Sequence, residues 1–124
     1  MTKKILLVED EKMLGEMYRD KFIQAGGFEV ILTETAEEGI KAARKEKPDL
    51  ILLDILLPRI NGIGFMQWLK KEKELSSIPV IAFSNYDDPK TKKEAVELGI
   101  KDYLIKTNYT PQEIVDKVKS YLKN

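Results

Sequence analysis

The 124-residue chain contains no cysteine and no histidine. Without cysteine there is no disulfide and no thiolate metal site, and the thiol count carries no information about redox compartment. Without histidine the commonest general base and the commonest transition-metal ligand are both missing. Any metal must then be held by oxygens, which makes a hard cation such as magnesium the natural candidate. There is no charge excess of either sign, with 21 Lys plus Arg against 21 Asp plus Glu. A general nucleic-acid binder normally carries a basic surplus, so no direct nucleic-acid partner is expected. No lysine-rich block stands apart from acids, and no run approaches the ~20 apolar residues of a membrane span, so no membrane partner is expected. Met1-Thr2-Lys3-Lys4-Ile5 leads straight into an apolar run without a signal-peptide pattern, and the expected location is cytoplasmic.

What remains is a folded-protein composition, 43% hydrophobic and 34% charged, in a length that suits one domain over residues 1–124. The chain is organised around Asp49-Leu50-Ile51-Leu52-Leu53-Asp54-Ile55-Leu56-Leu57-Pro58. An apolar run without polar alternation reads as a strand buried on both faces, the mark of a parallel sheet. It delivers a carboxylate at Asp54, which an apolar interior does not solvate, so Asp54 belongs at the strand's end among polar partners.

Ile5-Leu6-Leu7-Val8 is a similar run ending at Glu9-Asp10. A helix follows from Glu11 to about Ala25, with Leu14, Tyr18, Phe22 and Ala25 at helical spacing, Met17 and Ile23 flanking, and Gly26-Gly27 as its stop. Phe28 to Thr33 reads as a strand. Thr35-Ala36-Glu37-Glu38 is a capping box for a helix that turns Ala36, Gly39, Ile40 and Ala43 inward. Asn61-Gly62 opens a helix carrying Phe65, Met66 and Leu69, which ends in the solvated run Lys70 to Glu74. Pro79 to Phe83 is a fourth strand, ending at Ser84. Asp88-Pro89 caps a helix with Ala95, Val96 and Leu98 that ends at Gly99. Tyr103-Leu104-Ile105 is a fifth strand, ending at Lys106. Thr110-Pro111-Gln112-Glu113 is a second capping box, for a last helix burying Ile114, Val115, Val118, Tyr121 and Leu122. That helix ends within a few residues of Asn124, so no output domain is expected in this chain.

Five βα units predict an α/β fold in three layers. The expected architecture is a five-stranded parallel sheet of flavodoxin-like order 2-1-3-4-5 with helices on both faces. In such a sheet all strand carboxyl ends lie on one edge, and ligands bind at the switch in strand order. Glu9, Asp10, Asp54, Ser84 and Lys106 all end strands. Two carboxylates ~4 Å apart repel by roughly 4 kcal/mol at an effective dielectric of 20, so the acids need compensation. Lys106 offsets part and a divalent cation the rest. Oxygen-only ligation is magnesium chemistry, and magnesium bridges to phosphate oxygens. Asp54 can then serve as a carboxylate nucleophile that forms an aspartyl phosphate, with the metal, the lysine and a hydroxyl stabilising the transferred group.

Together, Glu9-Asp10, Asp54 followed by Pro58 and Gly62, Ser84, and Tyr103-Leu104-Ile105-Lys106 resemble the receiver domain of bacterial two-component response regulators. The resemblance runs from Lys4 to about Leu122 and implies a stand-alone phosphorylation switch rather than an enzyme. It implies that Asp54 is the phosphoacceptor of a phosphorelay. Glu9, Asp10, Asp54 and the backbone carbonyl of Leu56 are the implied Mg2+ ligands. Lys106 and Ser84 are the implied phosphoryl contacts, with Ser84 and Tyr103 as the switch pair. The implied partners are a sensor histidine kinase or phosphotransfer protein, and a downstream protein read by the fourth helix, fifth strand and fifth helix. The implied assembly is a monomer or a weak phosphorylation-dependent dimer.

One position departs from the family. Thr107 follows the lysine where receivers usually carry proline after a cis bond; cis costs a non-proline residue about 3–4 kcal/mol, so a trans bond and an altered loop are expected. The resemblance implies that Leu56 and Tyr86 flank the path of a hydrolytic water; both are bulky, and Leu56 has no polar group to orient it. Slow self-dephosphorylation is therefore expected. Three other functions compete. A nucleotide-binding enzyme needs a glycine-rich turn after the first strand, where Glu9-Asp10-Glu11-Lys12 stands. A phosphatase of the haloacid dehalogenase type needs a second acid two residues after its aspartate, where Leu56 stands. A receiver-like interaction module that is never phosphorylated would not need the intact acid set.

Overall fold

A computed structural model describes residues 2–57, 59–85 and 88–122. The elements alternate as expected: β1 (Lys3–Val8), α1 (Lys12–Ala25), β2 (Phe28–Thr33), α2 (Ala36–Glu46), β3 (Leu50–Asp54), α3 (Gly62–Lys71), β4 (Val80–Ser84), α4 (Pro89–Glu97), β5 (Asp102–Ile105) and α5 (Pro111–Leu122), with a 3-10 turn at Lys106–Asn108. The strands form one sheet of order β2-β1-β3-β4-β5, every neighbouring pair parallel. The chain is thus an α/β protein of the doubly wound, flavodoxin-like class.

Alternation of side chains along each strand builds two cores. Leu6, Val8, Ile51, Leu53, Val80 and Ala82 face α2, α3 and α4, where Ala36, Phe65, Met66 and Ala95 meet them. Ile5, Leu7, Leu50, Leu52, Ile81 and Phe83 face α1 and α5, where Phe22, Ile114 and Val118 meet them. The unbroken apolar runs in the sequence are runs because both faces are covered. Burying one such side chain contributes about 1.5–3 kcal/mol, and β3 is buried along its whole length.

The caps act locally. Asn61 accepts from Gly64 N at 3.0 Å, and Asp88 accepts from Thr91 N at 3.2 Å with Pro89 opening the helix. The second capping box closes in both directions: Glu113 N donates to Thr110 Oγ1 at 3.1 Å and Thr110 N donates to Glu113 Oε1 at 2.8 Å. In the first, Glu38 N donates to Thr35 Oγ1 at 3.0 Å, but the Glu38 carboxylate accepts from Glu34 N, one residue before the threonine. Helix α1 starts at Lys12, with Glu11 as its extended cap residue.

One expected core position, Tyr121, is on the surface, and so is Ile23, which flanks the inward stripe of α1. Ile23 is exposed, because Tyr18 and Phe22 already fill the stripe that faces the sheet. Tyr121 is 37% exposed. Its hydroxyl donates to Lys101 O at 3.2 Å and lies 3.0 Å from Asp102 Oδ2, so the ring crosses to the start of β5 instead of entering the core. The Lys106–Thr107 bond is trans, and the backbone there winds into the 3-10 turn. Pro58 and Tyr86 lie outside the described residues.

Candidate functional site: an acidic rim at the carboxyl ends of the strands

The parallel sheet brings the ends of β1, β3, β4 and β5 to one edge. Glu9 follows β1 directly, held by its N–H on Thr33 O at 3.0 Å. Its side chain is fully buried, whereas Asp10 next to it is exposed. Asp54 is the last residue of β3 and 4% exposed. One carboxylate oxygen from each of Glu9, Asp10 and Asp54 lies within 4.8 Å of the others.

Lys106, just past β5, reaches into this group. Its Nζ lies 2.5 Å from Glu9 Oε1 and 3.2 Å from Asp54 Oδ2, with all three side chains nearly shielded from water. The ammonium also sits over the Phe83 ring, 4.7 Å from its centre, a cation–π contact that steadies a cation in a desolvated place. The remaining carboxylate oxygens take backbone donors: Leu56 N to Asp54 Oδ1 at 3.1 Å, and Glu11 N to Glu9 Oε2 at 3.1 Å.

Two buried carboxylates share one ammonium, with Asp10 beside them, and burial works against their charge. Burial pushes Glu9 up to about 7; the hydrogen bond from Lys106 pulls the other way, and the charge of Asp54 adds to the rise. Burial likewise raises Asp54 above its ordinary range, against the pull of Lys106. For Lys106 burial works against the charge, but the hydrogen bond to Glu9 and the charges of Asp54 and Glu9 outweigh it and raise its pKa. An all-oxygen donor set with more negative than positive charge suits a hard divalent cation.

A close approach behind Asp54 fixes the geometry. Gly62 N donates to Ile55 O at 2.9 Å. A Cβ on Gly62 would lie 2.7 Å from Ile55 Cα and 2.9 Å from Asp54 O, so only glycine lets α3 start against the backbone of the acid. The preceding loop holds Arg59 at φ 61°, the left-handed region.

Other expected site residues take different places. Ser84 ends β4 on the same edge, fully buried and paired in register with Ile105. Leu56 lies two residues past Asp54, its side chain 50% exposed. Tyr103 is not in the rim group. It pairs with Ala82 in the sheet and its ring is buried in the core on the α3 and α4 side. The sequence reading did not single out Phe83 beneath Lys106. Its only signal is its place immediately before Ser84, on the face opposite Ala82.

Known proteins resemble this chain in sequence and in fold. The response regulator receiver domain family matches residues 5–119. The polar-differentiation response regulator DivK of Brucella ovis is 37% identical over 122 residues, covering 98% of each chain. Among solved structures, chemotaxis protein CheY4 of Vibrio cholerae superposes with a TM-score of 0.90 at 22% identity, over 98% of this chain and 100% of that one. A CheY-like receiver domain protein from Methanospirillum hungatei gives 0.90 at 24%, over 98% and 94%. At these identities the superpositions speak to the fold, and the sequence matches speak to descent. With its parallel sheet of order 2-1-3-4-5 and its acids gathered at the β1–β3 switch, this chain belongs to the response regulator receiver domain family of two-component signalling.

Proposed function

We propose that the protein is a phosphorylation-switched receiver in which Asp54 accepts a phosphoryl group. The observation that carries this is the gathering of Glu9, Asp10 and Asp54 around a shared pole, with Lys106 Nζ 3.2 Å from the Asp54 carboxylate. An Asp54 oxygen attacks phosphorus and forms the acyl phosphate bond. The bond from phosphorus to the donor breaks, to nitrogen in a phosphohistidine or to oxygen in a small acyl phosphate, and the leaving group departs with the electron pair. Leu56 N orients the Asp54 carboxylate through its hydrogen bond. Lys106 supplies positive charge where the transferred oxygens arrive. Ser84, at the end of β4, can donate a hydroxyl proton to one of those oxygens.

Glu9, Asp10, Asp54 and the Leu56 carbonyl are the residues that would hold Mg2+, which when bound neutralises charge on the transferring group. The protein takes part in its own phosphorylation and dephosphorylation but is not a turnover enzyme. Phosphorylation biases a two-state equilibrium, with Tyr103 following Ser84 and with α4, β5 and α5 as the surface read by a downstream protein. The phosphoryl source is a sensor histidine kinase or a phosphotransfer protein. A receiver domain over residues 1–124 is supported by the match to DivK, which covers 98% of each chain. We assign it to the cytoplasm, as a monomer or weak phosphorylation-dependent dimer. Among the described residues no helix is long and apolar enough to cross a membrane.

Leu56 offers a hydrolytic water nothing to bind, so the phosphorylated form should persist for minutes or longer in the isolated protein; a lifetime of seconds would contradict this. The test of the site is fluorine NMR with beryllofluoride and Mg2+. Saturable bound signals are expected in the wild type and none in Asp54→Ala. Absence of the signal in a folded wild type would favour an interaction module that is never phosphorylated.

A further inference from the structure

At the opposite, amino-terminal edge of the sheet lies a cleft of about 260 Å³ between the end of α3, the 72–79 loop and the turn from α4 to β5. Lys70 and Lys101 both line it. The acids nearest to them in sequence are engaged elsewhere. Glu72 meets Arg44 at 3.1 Å and Glu74 meets Lys47 at 3.3 Å, both toward α2. Asp102 is 3.0 Å from the Tyr121 hydroxyl and 3.7 Å from Lys117 Nζ. Among the described residues no carboxylate pairs with Lys70 or Lys101, and none lines the cleft.

The Lys70 ammonium is folded back over Gly99, so closely that a Cβ there would lie 2.8 Å from it. Ser76 and Ser77 add two hydroxyls to the wall. The floor is apolar, with Met66, Leu69 and Val80 nearly sealed from solvent and Ile78 half-buried beside them. Two cations facing one cleft without an acid repel each other. A doubly charged oxyanion relieves that repulsion and can accept from both ammonium groups and both hydroxyls, while the apolar floor favours a ligand with a compact hydrophobic part.

We propose that this cleft binds a small phosphomonoester, its phosphate held by Lys70, Lys101 and the serines and its apolar group resting against Ile78 over the floor of Met66, Leu69 and Val80. The cleft touches none of the rim residues, so it stands independently of phosphorylation at Asp54. An occupant ties the α4–β5 turn to the end of α3.

The test is amide NMR of the full chain in EDTA, titrated with phenyl phosphate, with inorganic phosphate and with sodium chloride at matched ionic strength. Phenyl phosphate should give saturable shifts at Lys70, Ser76, Ser77, Gly99 and Lys101. Binding should weaken at least about tenfold in Lys70→Gln/Lys101→Gln and stay unchanged in Lys71→Gln/Lys73→Gln. All four lysines are exposed, and an unaltered spectrum away from the cleft confirms that each variant is folded. Shifts that track chloride, that fail to saturate, or that fall equally in both double variants would overturn the site. Inorganic phosphate binding as tightly as phenyl phosphate would overturn the role of the apolar floor and with it the ester assignment.

Discussion

Helices α3 and α4 cover the same face of the sheet, but α3 buries Gly62, Ile63, Phe65, Met66 and Leu69, and α4 buries only Ala95. Val96 of α4 is 57% exposed. What holds α4 is mostly its own ends: the Asp88 carboxylate on Thr91 N and Oγ1, and Gly99 at φ +93° after the last turn. The acids follow the same division. Glu9 and Asp54 end the central strands β1 and β3, and α3 is pressed against the backbone of Asp54 through Gly62. Ser84 and Lys106 end β4 and β5, beside the lightly held helix. A tightly packed half holds the acids and a lightly packed half carries Ser84 and Lys106; under the proposed function that is the arrangement a switch needs, since elements that move are drawn from the less stable parts of a fold. Lys106 joins the halves by reaching across to Glu9 and Asp54.

The largest effect that probes this contrast is a pair of truncations. Phe65→Ala should cost about 3–5 kcal/mol in urea unfolding, while Val96→Ala should stay within about 0.5 kcal/mol of wild type. Comparable losses at the two positions would break the distinction between the helices.

The bridge is tested next, through pH. Glu9 sits at about 7 in the fold against an ordinary value of 4.5, so the folded state keeps a proton that the unfolded chain has released. Its stabilising contribution is therefore complete below about 4.5 and is lost as pH rises through about 7. Lys106→Met removes the cation that holds both carboxyls down. In EDTA the variant should lose about 1–3 kcal/mol more than wild type at pH 8, and much less at pH 5, where protons replace the lysine. Magnesium should narrow the gap at pH 8. An equal loss at both pH values would mean that Lys106 acts by packing rather than by charge.

The smallest effect needs no mutation. Amides of α4 should exchange with deuterium at least about tenfold faster than those of α3, and beryllofluoride with magnesium should change protection chiefly in α4 and the strand ends beside it. Changes concentrated in α3 would reverse the assignment of fixed and responding halves.

Much of this was legible because it depends on local pattern. The apolar runs at 5–8, 50–53 and 80–83 mark doubly covered strands, and once the sheet is parallel the residues that end them must share an edge. The caps at Asn61, Asp88 and Thr110 follow from side chains that bond within one turn. Tertiary choices were not legible. Glu9 and Asp10 are adjacent acids, and only the register of β1 against Thr33 decides that one is buried and the other exposed. Tyr121 falls on an apolar stripe, but its hydroxyl finds Lys101 O and Asp102 across the end of α5. Phe83 under the ammonium, and the close approach of Gly62 to Asp54, come from contacts between segments distant in sequence or folded back on themselves, which periodicity does not encode.

Phosphoryl uptake at Asp54 is read out by peptide-mapped mass spectrometry after incubation with acetyl phosphate and magnesium. A mass gain of one phosphoryl group located on Asp54 is expected, absent in Asp54→Asn and absent when EDTA replaces magnesium. Labelling at another residue, or undiminished labelling of a folded Asp54→Asn variant, would contradict it.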